Sequence, residues 1–302
     1  MKLHNKPTPP AGDKMPRNES VRESYDRHSQ HYDQYAALEK EVCSRLLDRI
    51  TFRRTEPATV LDLGCGTGGG AAALKKAFRK AQVVAIDLSA GMLSEAARQS
   101  RLRHPLKRVN ADIGSLPFSH HTADLIFSSL AAPWLTDPRP FFEEVRRVLK
   151  PGGMFLFSMF GPASLSQLRL AAMQGLGEDL ATAFPDVLEA GDWLTAAGFR
   201  EPVMDVDLLT LHYPDLDAMS LEIETTGSAL LVDNWPQIKS NLGLLGGCWE
   251  TIDGGRPYPL AFEVLYGVAF GAPEGQPRRT ADGEIAAISV DSLLKSRNLS
   301  YD

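Results

Sequence analysis

The stretch that decides the fold is VLDLGCGTGGG, residues 60–70. Its apolar start is typical of a buried strand, and the glycines after it let the backbone turn tightly and approach a ligand without a Cβ in the way. Gly64, Gly66 and Gly69 satisfy the GxGxxG spacing of dinucleotide-binding loops, although this spacing alone is a weak signal. The stretch predicts a strand, a glycine loop and a helix whose first N–H groups face a ligand.

Asp62 discriminates between the ligands that such a loop can hold. It lies two positions before the first glycine, at the carboxyl end of the strand, where a carboxylate would repel a bound pyrophosphate. The ammonium of S-adenosylmethionine would be attracted there, and the carboxylate of its methionyl end suits the loop N–H groups. The alternative is that Asp62 only caps a turn. We therefore expect S-adenosylmethionine as the cofactor, and no binding of NAD.

Two more acids follow the next two predicted strands. Asp87 ends the run VVAIDLS, about twenty residues after the loop, where a carboxylate can accept hydrogen bonds from both ribose hydroxyls. Its alternative role is to cap the helix that starts at Ser89. Asp112, in NADIGSLPF, follows the third strand and would face the adenine amine. Three apolar side chains are expected against the adenine ring: Leu88, Met92 and Ile113. Met92 could equally belong to the core.

The sequence around these acids alternates between short apolar runs and helical segments. TVLDLG, AQVVAID, DLIFSSL and MFLFSMF are typical of strands, and they are separated by AAALKKAFRK, GMLSEAARQS and PFFEEVRRVLK. This alternation predicts βαβ units and a doubly wound, mostly parallel α/β sheet. Further along, helices are predicted over 162–200 and 215–249, and two long strands over 202–213 and 259–270, one of them antiparallel.

Composition narrows the classes of function. The chain has 302 residues, of which 43% are hydrophobic and 23% charged, an ordinary globular composition. Its 32 basic and 38 acidic residues give a net charge of −6, which disfavours a nucleic-acid partner. No apolar run approaches the roughly 18 residues of a membrane span, and the three cysteines form no CxxC pair. We expect a cytoplasmic protein with no metal site and no membrane partner.

Together the motifs resemble the class I S-adenosylmethionine-dependent methyltransferases. DLGCGTG, AIDLS, ADIGSLPF, FSSLAAPW and LKPGG stand where the successive motifs of that family stand, over about residues 57–160. The resemblance implies a Rossmann-like, seven-stranded sheet in which LKPGG is a structural turn. It also implies the cofactor-binding residues: Asp62, Gly64, Gly66, Thr67, Gly68, Asp87, Leu88, Met92, Asp112, Ile113, Ser129 and Leu130.

Four longer segments narrow the resemblance to the malonyl-[acyl-carrier-protein] O-methyltransferases of biotin synthesis. They are YDRHSQHYDQYAALEKEV (25–42), SSLAAPWL (128–135), SMFGPASLSQLR (158–169) and RPYPLAFEVLYGVAFG (256–271). This family implies methylation of the free carboxylate of malonyl-acyl-carrier protein. Residues 221–236 depart from its pattern, which leaves other acceptors open.

One alternative acceptor is another small molecule. Another is a protein, as in the methyltransferase-like arginine hydroxylases that assist respiratory complex assembly and share much of this sequence. A noncatalytic binding module is disfavoured, because every cofactor position is filled. The oligomeric state does not follow from the sequence.

The residues that would bind the acceptor are implied mainly by the same resemblance. A malonyl carboxylate is ionised at neutral pH and needs no general base, so the site must only align the reactants and exclude water. The candidate catalytic residues are Tyr32 and Arg169, the second as a bidentate partner of the carboxylate. Tyr25 and Trp134 are expected to line the substrate pocket. The alternatives are that the Tyr32 ring only anchors its segment to the core and that Arg169 lies solvated on a helix surface.

The predicted organisation follows from these segments. The Pro-rich residues 1–20 predict a flexible arm, and residues 21–271 a single methyltransferase domain. That domain is expected to comprise a helical lid (21–53), a cofactor-binding core (57–160), an acceptor-side region with helical insertions (161–257) and a last strand (258–271), followed by a polar tail (272–302). An acidic carrier protein is expected to dock on a local basic patch that includes Arg169, Lys239 or Arg256.

Overall fold

The computed structural model describes residues 17–53, 55–99, 106–178, 180, 184–253, 255–273, 278–280 and 283–285. The strands of its main sheet are β1 (Thr59–Leu63), β2 (Gln82–Asp87), β3 (Lys107–Asn110), β4 (Ala123–Ser129), β5 (Leu149–Phe160), β6 (Phe199–Tyr213) and β7 (Tyr258–Gly271). Before β1 lie α1 (Arg17–His28), α2 (Tyr32–Tyr35) and α3 (Ala37–Asp48). The later helices are α4 (Gly69–Ala77), α5 (Ala90–Gln99), α6 (Arg139–Val148), α7 (Ser166–Leu176), α8 (Val187–Ala196), α9 (Leu216–Thr225), α10 (Trp235–Ser240) and α11 (Leu242–Asp253).

The seven strands are ordered β3-β2-β1-β4-β5-β7-β6. The neighbours from β3 to β5 run parallel, whereas β7 is antiparallel to both β5 and β6. The predicted doubly wound, mostly parallel sheet is therefore confirmed, including its antiparallel late strand. Within the part of the chain described, no helix has the length and apolarity needed to cross a membrane.

The central strands β1, β2, β4 and β5 are buried on both faces, as expected for parallel strands. On one face, α3 and α4 contribute Leu46 and Leu74 to the core; on the other, α6 and α8 contribute Phe142 and Leu194. All four side chains are fully buried, and each such burial stabilises the fold by about 1.5–3 kcal/mol. This double packing fixes the carboxyl ends of the strands, from which the candidate site is built.

The structure departs from the sequence expectations near the two ends of the chain. Helix α1 begins at Arg17, so residues 17–20 of the predicted arm are helical, because Val21 packs into the core and Asn18 reaches Asp112. Residues 1–16 lie outside the described part. Within the predicted linker and tail, β8 (Arg278–Thr280) and β9 (Gly283–Ile285) form a hairpin, and residues 274–277, 281–282 and 286–302 are outside the description.

The predicted LKPGG turn is found at the start of β5, inside the strand. Gly152 has a φ of +71°, and the pairing of β5 with β4 shifts register between Ala123 and Leu125. The segment is therefore an irregularity within β5, because β5 pairs with β4 both before and after the two glycines.

Candidate functional site

A cavity of about 400 Å³ opens at the carboxyl ends of β1, β2 and β4, beneath α1, α2 and α3. This edge is where open parallel sheets bind ligands. The structure brings most of the predicted site residues to its wall: Tyr25, Tyr32, Asp62, Gly64, Gly66, Thr67, Asp87, Leu88, Asp112, Ile113, Ser129, Leu130 and Trp134.

The glycine loop joins β1 to α4 in a conformation that other residues rarely adopt. Gly64 has a φ of +68°, and a Cβ built on it would lie 2.3 Å from the Cβ of Ala131. A larger residue would strain the backbone and collide with the segment after β4. The loop also directs the Gly66 N–H toward Asp87 Oδ2, at 2.9 Å.

Asp62 is the most deeply buried acid of the site. Its side chain is 2% exposed. The Ala71 N–H donates to its carboxylate, but Oδ2 has no hydrogen-bond partner among the described residues. Burial, together with the charge of Asp87, raises the pKa of Asp62 to about 7. An ammonium against Oδ2 would supply the missing partner and stabilise the ionised form.

Asp87 is held at the cavity wall by two backbone groups. Its Oδ2 accepts the Gly66 N–H, and its Oδ1 accepts the Ser89 N–H at 2.8 Å. Burial raises its pKa to about 6. The capping role that the sequence left open belongs to Ser89, whose Oγ accepts the Met92 N–H at 3.0 Å. Each oxygen of Asp87 therefore keeps a lone pair for a ligand hydroxyl.

Asp112 already contacts an amide from the covering helix. Its Oδ1 accepts the Gly114 N–H at 2.8 Å, and its Oδ2 accepts Asn18 Nδ2 at 2.6 Å. The Asn18 NH₂ group thus occupies one oxygen of the carboxylate that is expected to face the adenine amine, which is also a neutral donor. Leu88 and Ile113 line the cavity and could contact an apolar ring.

The segment after β4 forms a fixed part of the wall. Leu130 has a φ of +51°, a conformation that costs a non-glycine residue on the order of 1–3 kcal/mol. Its N–H donates to Ser158 Oγ at 3.1 Å, and its carbonyl oxygen accepts the Trp134 indole N–H at 3.1 Å. These bonds hold Ser129 and Leu130 at the cavity in spite of the strain.

Helices α1 and α2 cover the cavity and contact its cofactor side through polar groups. Asp26 Oδ1 accepts hydrogen bonds from Ser89 Oγ at 2.6 Å and from the Gly91 N–H at 2.8 Å. Thr67 Oγ1 of the glycine loop donates to Asp33 Oδ1 at 2.8 Å. The covering helices therefore bind the same segments that would surround the cofactor.

Aromatic rings form the other end of the cavity. The ring centroid of Tyr25 lies 5.4 Å from that of Trp134, edge-on, and 6.0 Å from that of Tyr32. The Tyr25 hydroxyl donates to the carbonyl oxygen of Thr226 at 3.0 Å. These rings enclose an apolar space from which water can be displaced.

Several residues of the wall were given no role by the sequence analysis, although most of them lie in segments that it quotes. They reach the cavity from the covering helices and the sheet: Arg22, Asp33, Glu39, Lys40, Cys43, Phe127 and Phe160. Helical spacing places Glu39 and Cys43 on one face of α3. It does not tell which way that face points.

Three predicted site residues do not line the cavity. Gly68 is the N-cap of α4 with a φ of +85°, and it packs against Ala96. Met92 is fully buried in the core, the alternative that the sequence left open. Arg169, on α7, is absent from the cavity lining and donates from Nη1 to the Pro162 carbonyl oxygen at 3.4 Å.

The other two predicted docking cations have local partners. Lys239 Nζ lies 2.8 Å from the Glu224 carboxylate, and the Arg256 guanidinium lies over the ring of Tyr258. The cations that line the cavity among the described residues are instead Arg22 and Lys40.

The cofactor side of the cavity fits S-adenosylmethionine group by group. The ammonium would complete the partners of Asp62, whose buried Oδ2 has none within the described structure. The ribose hydroxyls would use the remaining lone pairs of Asp87, and the adenine amine would replace the Asn18 amide on Asp112. The pyrophosphate of a dinucleotide would instead meet two buried acids.

Comparison with known proteins agrees with this geometry. Residues 61–157 match the family described as "Methyltransferase domain". A malonyl-[acyl-carrier protein] O-methyltransferase of Xylella fastidiosa is 34% identical over 287 residues, covering 93% of this chain and 97% of that protein. The protein of the same name from Laribacter hongkongensis is 36% identical over 280 residues, covering 87% and 92%.

Solved structures share the fold. The YcgJ protein of Bacillus subtilis aligns with a TM-score of 0.55 at 20% identity, over 77% of this chain and 99% of its own. The Haemonchus contortus phosphoethanolamine N-methyltransferase 2, solved in complex with S-adenosyl-L-methionine, aligns with a TM-score of 0.54 at 20% identity, over 87% of this chain and 61% of its own. By its near full-length similarity to these curated relatives, the chain belongs to the malonyl-[acyl-carrier protein] O-methyltransferase family of S-adenosylmethionine-dependent methyltransferases.

Proposed function

We propose that this chain methylates the free carboxylate of malonyl-acyl-carrier protein, with S-adenosylmethionine as the methyl donor. The observation that carries the proposal is that the acids suited to the donor and the aromatic pocket suited to the acceptor share one continuous cavity. The relatives named for this reaction, which match nearly the whole chain, support the choice of acceptor.

In this proposal the cofactor-side acids hold the donor in a single orientation. Asp62 would bind the ammonium, Asp87 the ribose and Asp112 the adenine amine. Bound S-adenosylmethionine supplies an electrophilic methyl group on a sulfonium sulfur. Because Asp62 and Asp87 are buried and already hydrogen-bonded to the backbone, they would orient the donor with little rearrangement.

The acceptor side has a simpler task. A carboxylate is ionised at neutral pH, so no residue needs to remove a proton. Tyr25, Tyr32 and Trp134 would displace water and bring the carboxylate oxygen to attacking distance, an alignment that can account for much of the rate. Tyr25 is fixed by its bond to Thr226, so Tyr32 is the ring whose hydroxyl we assign to the acceptor.

The test is incubation of the purified chain with labelled S-adenosylmethionine and a carrier protein, followed by intact-mass analysis. We expect malonyl-carrier protein to gain one methyl group, and acetyl-carrier protein and free carrier protein to gain none, because they lack the carboxylate. Free malonyl-coenzyme A serves as the control for carrier recognition and should react more slowly. Equal labelling of acetyl-carrier protein, or none of malonyl-carrier protein, would reject the proposal.

A further inference from the structure

Glu39 lines the cavity, but neither the binding of the methyl donor nor the aromatic pocket accounts for its position there. It lies in the first turn of α3 and lines the cavity with Tyr25, Tyr32 and Cys43. Its Oε2 is buried and has no hydrogen-bond partner among the described residues. A carboxylate in the first turn of a helix normally faces solvent, where the helix dipole stabilises it. Burial at a cavity needs another reason.

The groups around Glu39 favour its neutral form. Burial raises the pKa of the Glu39 carboxyl to about 8; its own backbone N–H and Lys40 oppose this shift, and the nearby Glu222 adds to it. The titratable or charged groups that interact with it or share its wall are Arg22, Tyr25, Tyr32, Asp33, Lys40, Cys43, Asp62, Cys65, Asp87, Asp112, Tyr213 and Glu222. Acids and phenols predominate in this set, and both of its cations have contacts with other groups.

Apart from the Tyr32 hydroxyl, which is assigned to the acceptor, the phenol and the cations that share this wall have contacts of their own. The Tyr25 hydroxyl donates to Thr226, and Lys40 Nζ donates to the carbonyl oxygen of Asp33. Arg22 lies 3.7 Å from the Glu19 carboxylate. A protonated Glu39 would therefore be a second donor at this wall, beside the Tyr32 hydroxyl, with a hydrogen to give.

We infer that Glu39 acts as a carboxylic acid that donates a hydrogen bond to one oxygen of the acceptor carboxylate and so aims the other oxygen at the methyl group. This inference rests on the proposed function. The proton stays on Glu39 throughout: a bond forms between the acceptor oxygen and the methyl carbon, the sulfur–methyl bond breaks, and its electron pair remains on sulfur.

A neutral donor suits this reaction better than a cation. A guanidinium or ammonium paired with the acceptor would draw charge from the attacking oxygen, whereas a neutral acid orients the carboxylate with a weaker withdrawal of charge. An ionised Glu39 would repel the acceptor instead. The acceptor should therefore bind and react efficiently at pH values below the pKa of Glu39, and poorly at pH values above it.

The test compares pH profiles of kcat/KM for malonyl-carrier protein in the wild type, Glu39→Gln and Glu39→Met. The wild type should lose activity as the pH rises through about 8. Glu39→Gln keeps an N–H donor and cannot ionise, so it should retain activity without that alkaline loss. Glu39→Met should lose about tenfold or more at every pH. Glu41→Gln, on the exposed side of the same helix, should behave like the wild type.

Calorimetric affinity for S-adenosylmethionine should be the same in all four proteins, which separates a role toward the acceptor from damage to the fold. The inference is overturned if Glu39→Gln keeps the alkaline loss, or if Glu39→Met is as active as the wild type. If the wild type itself does not methylate malonyl-carrier protein, the proposed function fails and the inference fails with it. The two failures are therefore distinguishable.

Discussion

Asp62 carries a stability cost that its ligand is expected to offset. Its pKa of about 7 in the folded chain is well above the value of about 3.9 for an unfolded aspartate. A folded-state pKa that is raised in this way stabilises the protein at low pH, and that contribution is lost as the pH rises from about 4 to about 7. The contribution of Asp62 should therefore make the ligand-free protein less stable at pH 8 than at pH 5.5.

Asp62→Asn should separate stability from binding. The amide oxygen can still accept the Ala71 N–H but never becomes charged, so the melting temperature of the ligand-free variant at pH 8 should rise by about 2–4 °C. The same change removes the partner of the ammonium, and affinity for S-adenosylmethionine should fall about tenfold or more. Thermal unfolding at pH 5.5 and 8 and calorimetry measure the two effects. An unchanged affinity would contradict the placement of the ammonium at Asp62.

At the scale of elements, the cover of the site consists of two parts with different roles. Helices α1 and α2 contact the rest of the site largely through side-chain hydrogen bonds, such as those of Asp26 and Asp33. Helix α3 instead inserts Val42 and Leu46 into the main core, where both are fully buried. The first two helices can therefore be removed at much lower cost to the fold than the third.

Two truncations test this division. Removal of residues 1–16 should leave methyl transfer intact, because no predicted site residue lies there. Removal of residues 1–35 should abolish transfer by uncovering the cavity, while the far-UV circular dichroism of the sheet and a cooperative thermal transition persist. A fully active 1–35 truncation would show that the cover has no part in the reaction. Loss of folding in that variant would mean that α1 and α2 belong to the core.

At the scale of the whole molecule, basic side chains lie at both ends of the parallel strands. Residues 75–80 (KKAFRK) carry four Lys or Arg and no Asp or Glu. Arg79 precedes β2 and so lies at the amino ends of the parallel strands, away from the cavity. Arg22 and Lys40 are at the cavity itself. An acidic carrier protein that delivers its acyl group must dock within reach of the second set.

A pair of matched charge reversals tests where the carrier docks. Arg22→Glu should raise the KM for malonyl-carrier protein several-fold and weaken its dependence on salt, because charges are screened over about 10 Å at 0.1 M ionic strength. Arg79→Glu, an equal change of charge on the opposite edge, should leave the KM unaltered. Steady-state kinetics at 50 and 300 mM salt compare them. A larger effect of Arg79→Glu would place the docking surface at the amino ends of the strands.

The sequence by itself determined the sheet, the glycine loop and the acids at its edge. Asp62 and Asp87 could be located because each is covalently tied to the end of a strand, and the carboxyl ends of parallel strands must meet at one edge. The same local logic identified the ligand, since a buried acid at that point excludes a pyrophosphate. These features depend on neighbours within a few residues along the chain.

Only the tertiary structure decided which helical faces line the cavity. It placed Glu39 there and Arg169 outside, put Met92 in the core, and brought Asn18 to Asp112 across 94 residues of sequence. Helical spacing shows which residues share a face, but the direction of that face follows from packing against elements far away in the chain. Tyr25, Tyr32 and Trp134 of the acceptor side could be identified from quoted segments, but Arg22, Glu39 and Lys40 could not, because their place at the cavity depends on such faces.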